Sequence, residues 1–187
     1  MDTETKRFIE SLDKRNIPWN RMFTAYGTAE RYCEVLSVLE EIEDPEQWKK
    51  TFNQMSDFEH QSTMFPPVPF ALVFLVRILE KLIRDGADDA AEWLTGQLMY
   101  YLEVCIDADR LEHAQPLGSF SDLLRDENLL LSEDNTEEDL ENIFEDPGLV
   151  PDDLFYSFYY YSRVALSQVP SILDKYGKFP EMSAKFR

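Results

Sequence analysis

Residues 60 to 86 read HQSTMFPPVPFALVFLVRILEKLIRDG, the most strongly patterned segment of the chain. Pro66, Pro67 and Pro69 lie where a helix would begin, because proline is tolerated in the first helical turn and breaks a helix further on. From Val68 to Ile83 apolar residues occur on nearly all sides, as is typical of a helix inside a core. An Asp-Gly pair then ends the pattern. The segment therefore predicts a central buried helix.

A second long helix follows after a short break. Asp88 or Asp89 opens it, and apolar residues recur every three or four positions as far as Asp107. Two long helices joined by about three residues form an antiparallel hairpin. Further helices are predicted at Asp2–Lys14, Trp19–Ile42 with a candidate break at Gly27, Pro45–Met55, 119–127 and Pro151–Tyr176. The predicted fold class is all-α, built from antiparallel helical hairpins and ending in an irregular tail.

A weak internal repeat accompanies these helices. Ala29, Cys33, Leu36 and Leu39 are spaced by 4, 3 and 3 residues, and the same spacing recurs 40 residues later and again after another 93. A period near 40 residues is in the range of HEAT and armadillo arrays. Any amphipathic helix also produces this spacing. The sequence thus leaves two architectures open, a short HEAT-like α-solenoid and a set of unrelated helices.

Size and composition predict one soluble domain. The 187 residues are 44% hydrophobic, enough for a core within a single domain over residues 1–187, with a less regular acidic segment at about 110–151. Cys33 and Cys105 lie far apart in apolar patterns, as buried thiols of a reducing compartment do. The first residues have no apolar secretory signal, and no apolar run is long enough to span a bilayer. These features predict a cytoplasmic protein.

The net charge of −19 is concentrated in one third of the chain. Residues 85 to 154 contain 21 acidic and two basic residues, whereas the rest contain 16 of each. Such asymmetry indicates a charged partner. Nucleic acids and anionic membranes are disfavoured as direct ligands because both are negative.

The densest part of this acidic third is SEDNTEEDLENIFEDPGLVPDD, residues 132–153, with ten carboxylates and no basic residue. Asn135 or Thr136 can cap a helix that reaches Glu145 and docks through Leu140, Ile143 and Phe144. The helix would present its charge outward to a basic partner. The candidate binding residues are Glu133, Asp134, Glu137, Glu138, Asp139 and Glu141.

A calcium site and a solvated face are the alternatives to a partner-binding role for the acidic segment. A calcium-binding EF-hand loop requires glycine at its sixth position, and the stretch that begins at Asp134 has aspartate there. The spacing therefore fails for an EF-hand. A solvated face without a partner stays open.

A third candidate feature is the aromatic stretch LFYSFYYYSRVALSQVPSIL, residues 154–173. On one helix, Tyr156, Tyr160 and Arg163 lie off the predicted core stripe that contains Leu166 and Leu173. Tyrosine and arginine are enriched in the residues that dominate binding energy at interfaces. These three are candidate partner-binding residues. The alternative is that the tyrosines pack beneath the acidic segment.

The residues of an enzyme site are sparse. The chain has two histidines, His60 and His113, and neither lies in a catalytic or metal-binding motif. No nucleophile elbow, P-loop, dinucleotide fingerprint or zinc-protease motif occurs. His60 is interpreted as a turn or capping residue. The sequence predicts a protein that is not an enzyme and that needs no metal or cofactor.

The stretch HQSTMFPPVPFALVFLVRILEKL resembles the helix start of HEAT-like immunity proteins from bacterial polymorphic toxin and contact-dependent antagonism systems. In those proteins a polar His-Gln-Gly-Thr-type lead precedes a proline or alanine pair and a Pro-Phe-Leu helix. The lead here runs from His60 to Thr63, with Ser62 in place of glycine, and the match covers about 25 of 187 residues.

The resemblance implies a cytoplasmic, helical, non-catalytic protein that binds one toxin domain. The family shares no set of binding residues, so none is assigned from it. The expected function is an immunity protein that binds and occludes a cognate cytoplasm-acting toxin with a basic surface. The alternative is a general helical adaptor that binds peptides or a basic partner.

Overall fold

The computed structural model describes residues 1–42, 44–107 and 114–187, so Arg110, His113 and the start of the predicted acidic segment lie outside the described residues. The chain is mostly helical, as predicted. The helices are α1 Thr3–Ser11, α2 Tyr32–Glu41, α3 Pro45–Phe52, α4 Val68–Asp85, α5 Asp88–Asp107, α6 Glu137–Glu145, α7 Asp152–Leu166, α8 Val169–Tyr176 and α9 Pro180–Lys185.

Two small antiparallel sheets correct the all-α expectation. One pairs β1 Phe23–Thr24 with β2 Gly27–Thr28, and the other pairs β3 Glu59–His60 with β4 Thr63–Met64. Each strand has only two residues, which is too short for a period-2 pattern to be visible in the sequence. The predicted helix from Trp19 to Ile42 is therefore wrong in its first half, and α2 begins only at Tyr32.

The central position of α4 is confirmed. Its side chains are buried nearly all round, and it packs against α2, α5, α7 and α8. The turn to α5 depends on Gly86, whose φ of 79° is in the left-handed region. In this turn the Gly86 and Ala87 amides donate to the Ile83 and Leu82 carbonyl oxygens at 3.3 and 2.9 Å. These bonds satisfy carbonyl groups that the end of a helix would otherwise leave unpaired.

The two hairpins introduce a structural repeat with an offset of 36 residues. Each hairpin leads into a helix, β1–β2 into α2 and β3–β4 into α4. The hydrogen bond that closes the first hairpin joins the Ala29 amide to the Met22 oxygen at 2.9 Å, and its counterpart joins the Phe65 amide to the Phe58 oxygen at 3.2 Å. The repeat unit is a hairpin followed by a helix, and it does not follow the 40-residue spacing seen in the sequence.

The predicted long last helix is broken in two. α7 ends at Leu166 and α8 begins at Val169, because Pro170 has no amide hydrogen to donate to the preceding turn. The tail is not irregular as predicted. It forms α9, whose Ser183 hydroxyl donates to Asp174 of α8 at 2.8 Å.

Phe120 ties the acidic third of the chain to the core. Its ring stacks on Tyr161 of α7 with a centroid distance of 4.9 Å and on Phe70 of α4 at 5.3 Å. The ring of Phe8 in α1 meets it edge-on at 5.3 Å. The predicted helix at 119–127 is instead two short 3₁₀ turns.

Candidate interaction surface

Thr136, one of the two capping residues that the sequence offers, caps helix α6, and it does so through a capping box. The Asp139 amide donates to the Thr136 hydroxyl at 3.3 Å, and the Thr136 amide donates to the Asp139 carboxylate at 2.7 Å. The backbone bond from Thr136 is the main reason that the pKa of Asp139 lies below its ordinary value. Asp139 therefore has a structural role, in addition to being a candidate binding residue.

The docking of α6 differs from the prediction at one residue. Ile143 is buried and Leu140 is half-buried, but 46% of Phe144 is exposed. The Phe144 ring meets Phe23 edge-on at 6.1 Å and leaves its other side open. Phe144 is thus a large apolar side chain on a helix that otherwise presents carboxylates to solvent.

The acidic segment is held by the turn at Trp19–Arg21. The Arg21 guanidinium donates to the Leu131 carbonyl oxygen and to the Asp126 carboxylate, both at 2.8 Å. The Asn135 side-chain amide donates to the Asn20 carbonyl oxygen, also at 2.8 Å. These bonds join residues that are more than 100 positions apart, and they fix the position of the segment that leads into α6.

The predicted acidic binding residues are exposed to solvent. None of them forms a salt bridge with a lysine or arginine in the described part of the chain. Their charge is therefore not neutralised locally, and it adds to the negative field around α6. The residues are Glu133, Asp134, Glu137, Glu138, Asp139 and Glu141.

An apolar groove lies beside α6, and we call it the α6 groove. Its volume is about 450 Å³. Ile143 and Phe144 form one side, and Asp152 at the start of α7 contributes a carboxylate. The remaining lining comes from Phe23, Thr63, Met64, Phe65, Val150, Phe155 and Phe158. No local sequence pattern indicates this groove, because its walls come from four separate parts of the chain.

The predicted tyrosine row lies at a different place. Tyr160 is 40% exposed, Tyr156 is half-buried with its ring 6.3 Å from that of Tyr160, and Arg163 is exposed. With Met1 and Asp2 these three line a second groove of about 700 Å³, the Tyr160 groove. The helical phase inferred from the sequence is confirmed here.

The loop at 115–118 lies beside the tyrosine row and is bonded to other residues of α7. The Gln115 amide donates to Asp153 at 2.8 Å, the Leu117 amide donates to Ser157 at 2.9 Å, and Tyr161 donates to the Leu117 oxygen. Burial raises the pKa of Tyr161 to about 12.

The structure does not bring the acidic residues and the tyrosine row into one pocket. Phe155 and Phe158 face the α6 groove, whereas Tyr156 and Tyr160 face the Tyr160 groove. The two sets of candidate residues thus belong to different sides of α7. A single contact centred on both sets is not indicated.

The sequence also missed an exposed aromatic cluster at the hairpin tips. Tyr26 is 75% exposed, and its ring lies 5.3 Å from that of His60. Beside it the Tyr100 hydroxyl donates to Glu59 at 2.9 Å. His60 thus ends a strand, and its ring contributes to an aromatic surface. The pairing of two distant hairpins creates this surface, so local pattern alone could not reveal it.

Asp57 joins the two hairpins. Its carboxylate accepts hydrogen bonds from the Thr24 and Tyr32 hydroxyls, both at 2.7 Å, and its carbonyl oxygen accepts one from the Ala25 amide at 2.9 Å. The hairpin-tip cluster is therefore fixed to α2. The β3–β4 turn uses Gln61 and Ser62 at φ values of 50° and 64°, a conformation that costs energy for residues other than glycine.

Metal-binding clusters and membrane-spanning helices are both absent from the described ranges. Within residues 1–42, 44–107 and 114–187 no group of three or more histidine, cysteine or carboxylate side chains is placed to hold a metal ion. No helix in those ranges has both the length and the apolarity needed to cross a bilayer. Cys105 is buried as expected, while Cys33 is half-buried.

Comparison of the chain with protein-family models, with curated proteins and with solved structures returned no match. The function is therefore inferred from the chain's own surface.

Proposed function

We propose that this protein binds and occludes a protein partner with a basic surface. The observation that supports this most strongly is the position of the net charge of −19, all of which arises from residues 85–154. A substantial part of that charge is on α6 and the residues just before it, which are exposed and anchored to the core. A rigid acidic face of this kind suits recognition of a cationic surface.

The resemblance at His60–Leu82 suggests which kind of partner is occluded. We propose that the partner is the cognate toxin domain of a bacterial antagonism system and that the chain acts in the cytoplasm as its immunity protein. Toxins that act on nucleic acids have cationic clefts, because their substrates are polyanions. An acidic inhibitor can cover such a cleft without any chemistry of its own.

A short HEAT-like array is the architecture that we propose for this scaffold. Two helix pairs support it, α2–α3 and α4–α5, because each pair follows one of the two hairpins and its helices pack together, as in a repeat made of two helices. The 4-3-3 spacing does not support it. Its first copy begins at Ala29, ahead of α2, and its third copy crosses the break between α7 and α8.

Affinity capture from the native cell, compared between two variants, tests the binding function. The test variant carries Glu137→Gln, Glu138→Gln and Glu141→Gln, and leaves the capping carboxylate of Asp139 intact. The matched control carries Glu34→Gln, Glu41→Gln and Glu181→Gln, three exposed carboxylates outside residues 85–154. We expect wild type and control to retain one basic protein that the test variant loses. Equal capture by all three would contradict the proposal.

Growth assays then separate an immunity protein from an adaptor. The captured protein is expressed alone and together with this chain in a host that lacks both. If the chain is an immunity protein, the partner alone arrests growth and co-expression restores it. A harmless partner, or arrest that co-expression leaves unchanged, would refute the immunity role and favour the adaptor alternative.

A further inference from the structure

The α6 groove combines an apolar interior with an acidic border. Phe23, Phe65, Phe155 and Phe158 provide aromatic walls, and the volume of about 450 Å³ is within the range of roughly 300–1,000 Å³ that ligand pockets occupy. Phe144 forms one edge with 46% of its surface exposed. Filling the groove would remove this apolar surface from water, which is favourable at about 25 cal/mol per Å².

One carboxylate lines this interior, and others lie on the helix that forms one side of it. Asp152 is part of the lining, and α6, which supplies Ile143 and Phe144, also carries exposed Glu141 and Glu145. No lysine or arginine is among the described residues that line the groove. Any group that enters the groove therefore passes through a negative field, and a positively charged segment is attracted.

The border charge decides which occupant fits. A second copy of this chain would also carry a net charge of −19, and the repulsion between two such copies disfavours it as the occupant. An anionic membrane is disfavoured for the same reason. An acidic or neutral peptide would leave the carboxylates without partners. A basic segment with a central apolar side chain satisfies both the interior and the border.

We propose that the α6 groove receives an aromatic or branched aliphatic side chain from a basic segment of the protein partner. Lysine or arginine residues on either side of that side chain meet the carboxylates of α6 and Asp152. This inference rests on the proposed function and adds to it the place and chemistry of the contact. Phe144 is then an anchor of the interface, as buried aromatic residues often are.

Synthetic hexapeptides of matched length test this inference. The first is Lys-Arg-Phe-Leu-Arg-Lys, the second replaces Phe-Leu by Gly-Ser, and the third replaces all four basic residues by glutamate. Amide chemical shifts of the isotope-labelled full chain are followed by NMR at low salt. We expect the first peptide to shift the amides of Phe23, Phe65, Ile143 and Phe144 and to bind at least tenfold more tightly than the second. The third should not bind.

A pair of variants locates the contact. Phe144→Ala should weaken binding of the first peptide about tenfold, because it removes one wall of the groove. Val38→Ala removes an apolar side chain of similar exposure on α2 and should leave binding unchanged. Thermal melts of both variants show whether each remains folded, and we expect little change because both residues are substantially exposed.

The outcomes separate the two proposals. Equal binding of the first two peptides, or an unchanged affinity in Phe144→Ala, would overturn the groove assignment and leave the acidic face as a purely electrostatic contact. Failure of both basic peptides to bind at low salt would contradict the basic-partner proposal as well.

Discussion

Tyr160 and Tyr161 are adjacent in the sequence and lie in opposite surroundings. Tyr160 is 40% exposed beside a groove, whereas Tyr161 is 3% exposed and stacks on Phe120. We predict that Tyr160→Ala leaves the melting temperature unchanged. If Tyr160 is a contact, the same substitution should raise the dissociation rate of the captured partner by an amount equivalent to about 2 kcal/mol.

Tyr161→Ala provides the contrast. Removing a buried aromatic ring costs about 3 kcal/mol of stability, so we expect a clearly lower melting temperature. Thermal melts and dissociation kinetics are measured on both variants. A destabilised Tyr160→Ala with an unchanged dissociation rate would show that Tyr160 supports the fold and not the interface.

The cap of α6 makes a second prediction. The pKa of Asp139 in the folded protein lies below the ordinary value of 3.8. Asp139 therefore stabilises the fold fully when the pH is above 3.8, and this contribution is lost as the pH falls through the lowered pKa. Asp139→Ala should therefore lower the melting temperature above about pH 4 and approach wild type in more acidic solution. A pH-independent difference would contradict this role.

Thr136→Ala tests the same cap from its other side. Loss of an N-cap hydroxyl costs about 1 kcal/mol at neutral pH, and part of this loss should disappear in acid, because the Thr136 hydroxyl also donates to the Asp139 carboxylate at 2.9 Å. Chemical denaturation of wild type and the variant measures it. No loss of stability would show that the cap contributes little.

At the residue scale, the exposure of a side chain could be predicted from the sequence where it depends only on which face of a helix the residue occupies. Tyr156, Tyr160 and Arg163 were placed correctly off the core stripe because α7 is regular there. Phe144 was placed wrongly, because its burial depends on whether β1, more than 100 residues earlier, covers its ring. Periodicity shows which face a residue is on, but it does not show whether a distant element meets that face.

At the element scale, two glycines should respond in opposite directions to alanine. Gly86 ends α4 with a φ of 79°, and a side chain in the left-handed region costs about 1–2 kcal/mol. Gly96 lies inside α5, and an added Cβ there would meet nothing within 4 Å. Gly86→Ala should therefore destabilise the protein, and Gly96→Ala should stabilise it by up to about 1 kcal/mol.

Urea denaturation of the two variants measures both effects. The two variants control for each other, because each replaces one glycine by alanine and so reduces the conformational entropy of the unfolded chain by a similar amount. A Gly86→Ala variant that is as stable as wild type, or more stable, would mean that the turn between α4 and α5 does not depend on the left-handed conformation of Gly86.

Strong local signals identified the right helices, and weak ones did not. The all-apolar run of α4 and the Asp44 cap of α3, which accepts a bond from the Gln47 amide at 2.7 Å, were both visible in the sequence. Pro170 could have revealed the break after α7, as proline interrupts a helix. The strands of β1 to β4 could not be predicted, because hairpins this short are stabilised by Asp57 and the packing around it.

For the whole molecule, the charge asymmetry was predictable and the grooves were not. Counting residues places the excess charge, while the α6 groove exists only after α6, α7 and both hairpins have packed together. The sequence therefore predicted an acidic face and a separate tyrosine row, but not their positions on different sides of α7. Those positions follow from how distant elements pack.

The association rate of the captured partner, measured by stopped flow across a range of salt concentrations, tests the central claim most directly. Exposed charges are screened within about 8 Å at physiological ionic strength. The rate for wild type should fall by roughly 10- to 1,000-fold from low to high salt. The test variant, with glutamine at Glu137, Glu138 and Glu141, should associate more slowly at low salt, and its rate should depend less on salt. The control, with glutamine at Glu34, Glu41 and Glu181, should have the same association rates as wild type. An association rate that salt leaves unchanged, or that both variants lower equally, would contradict recognition through the acidic face.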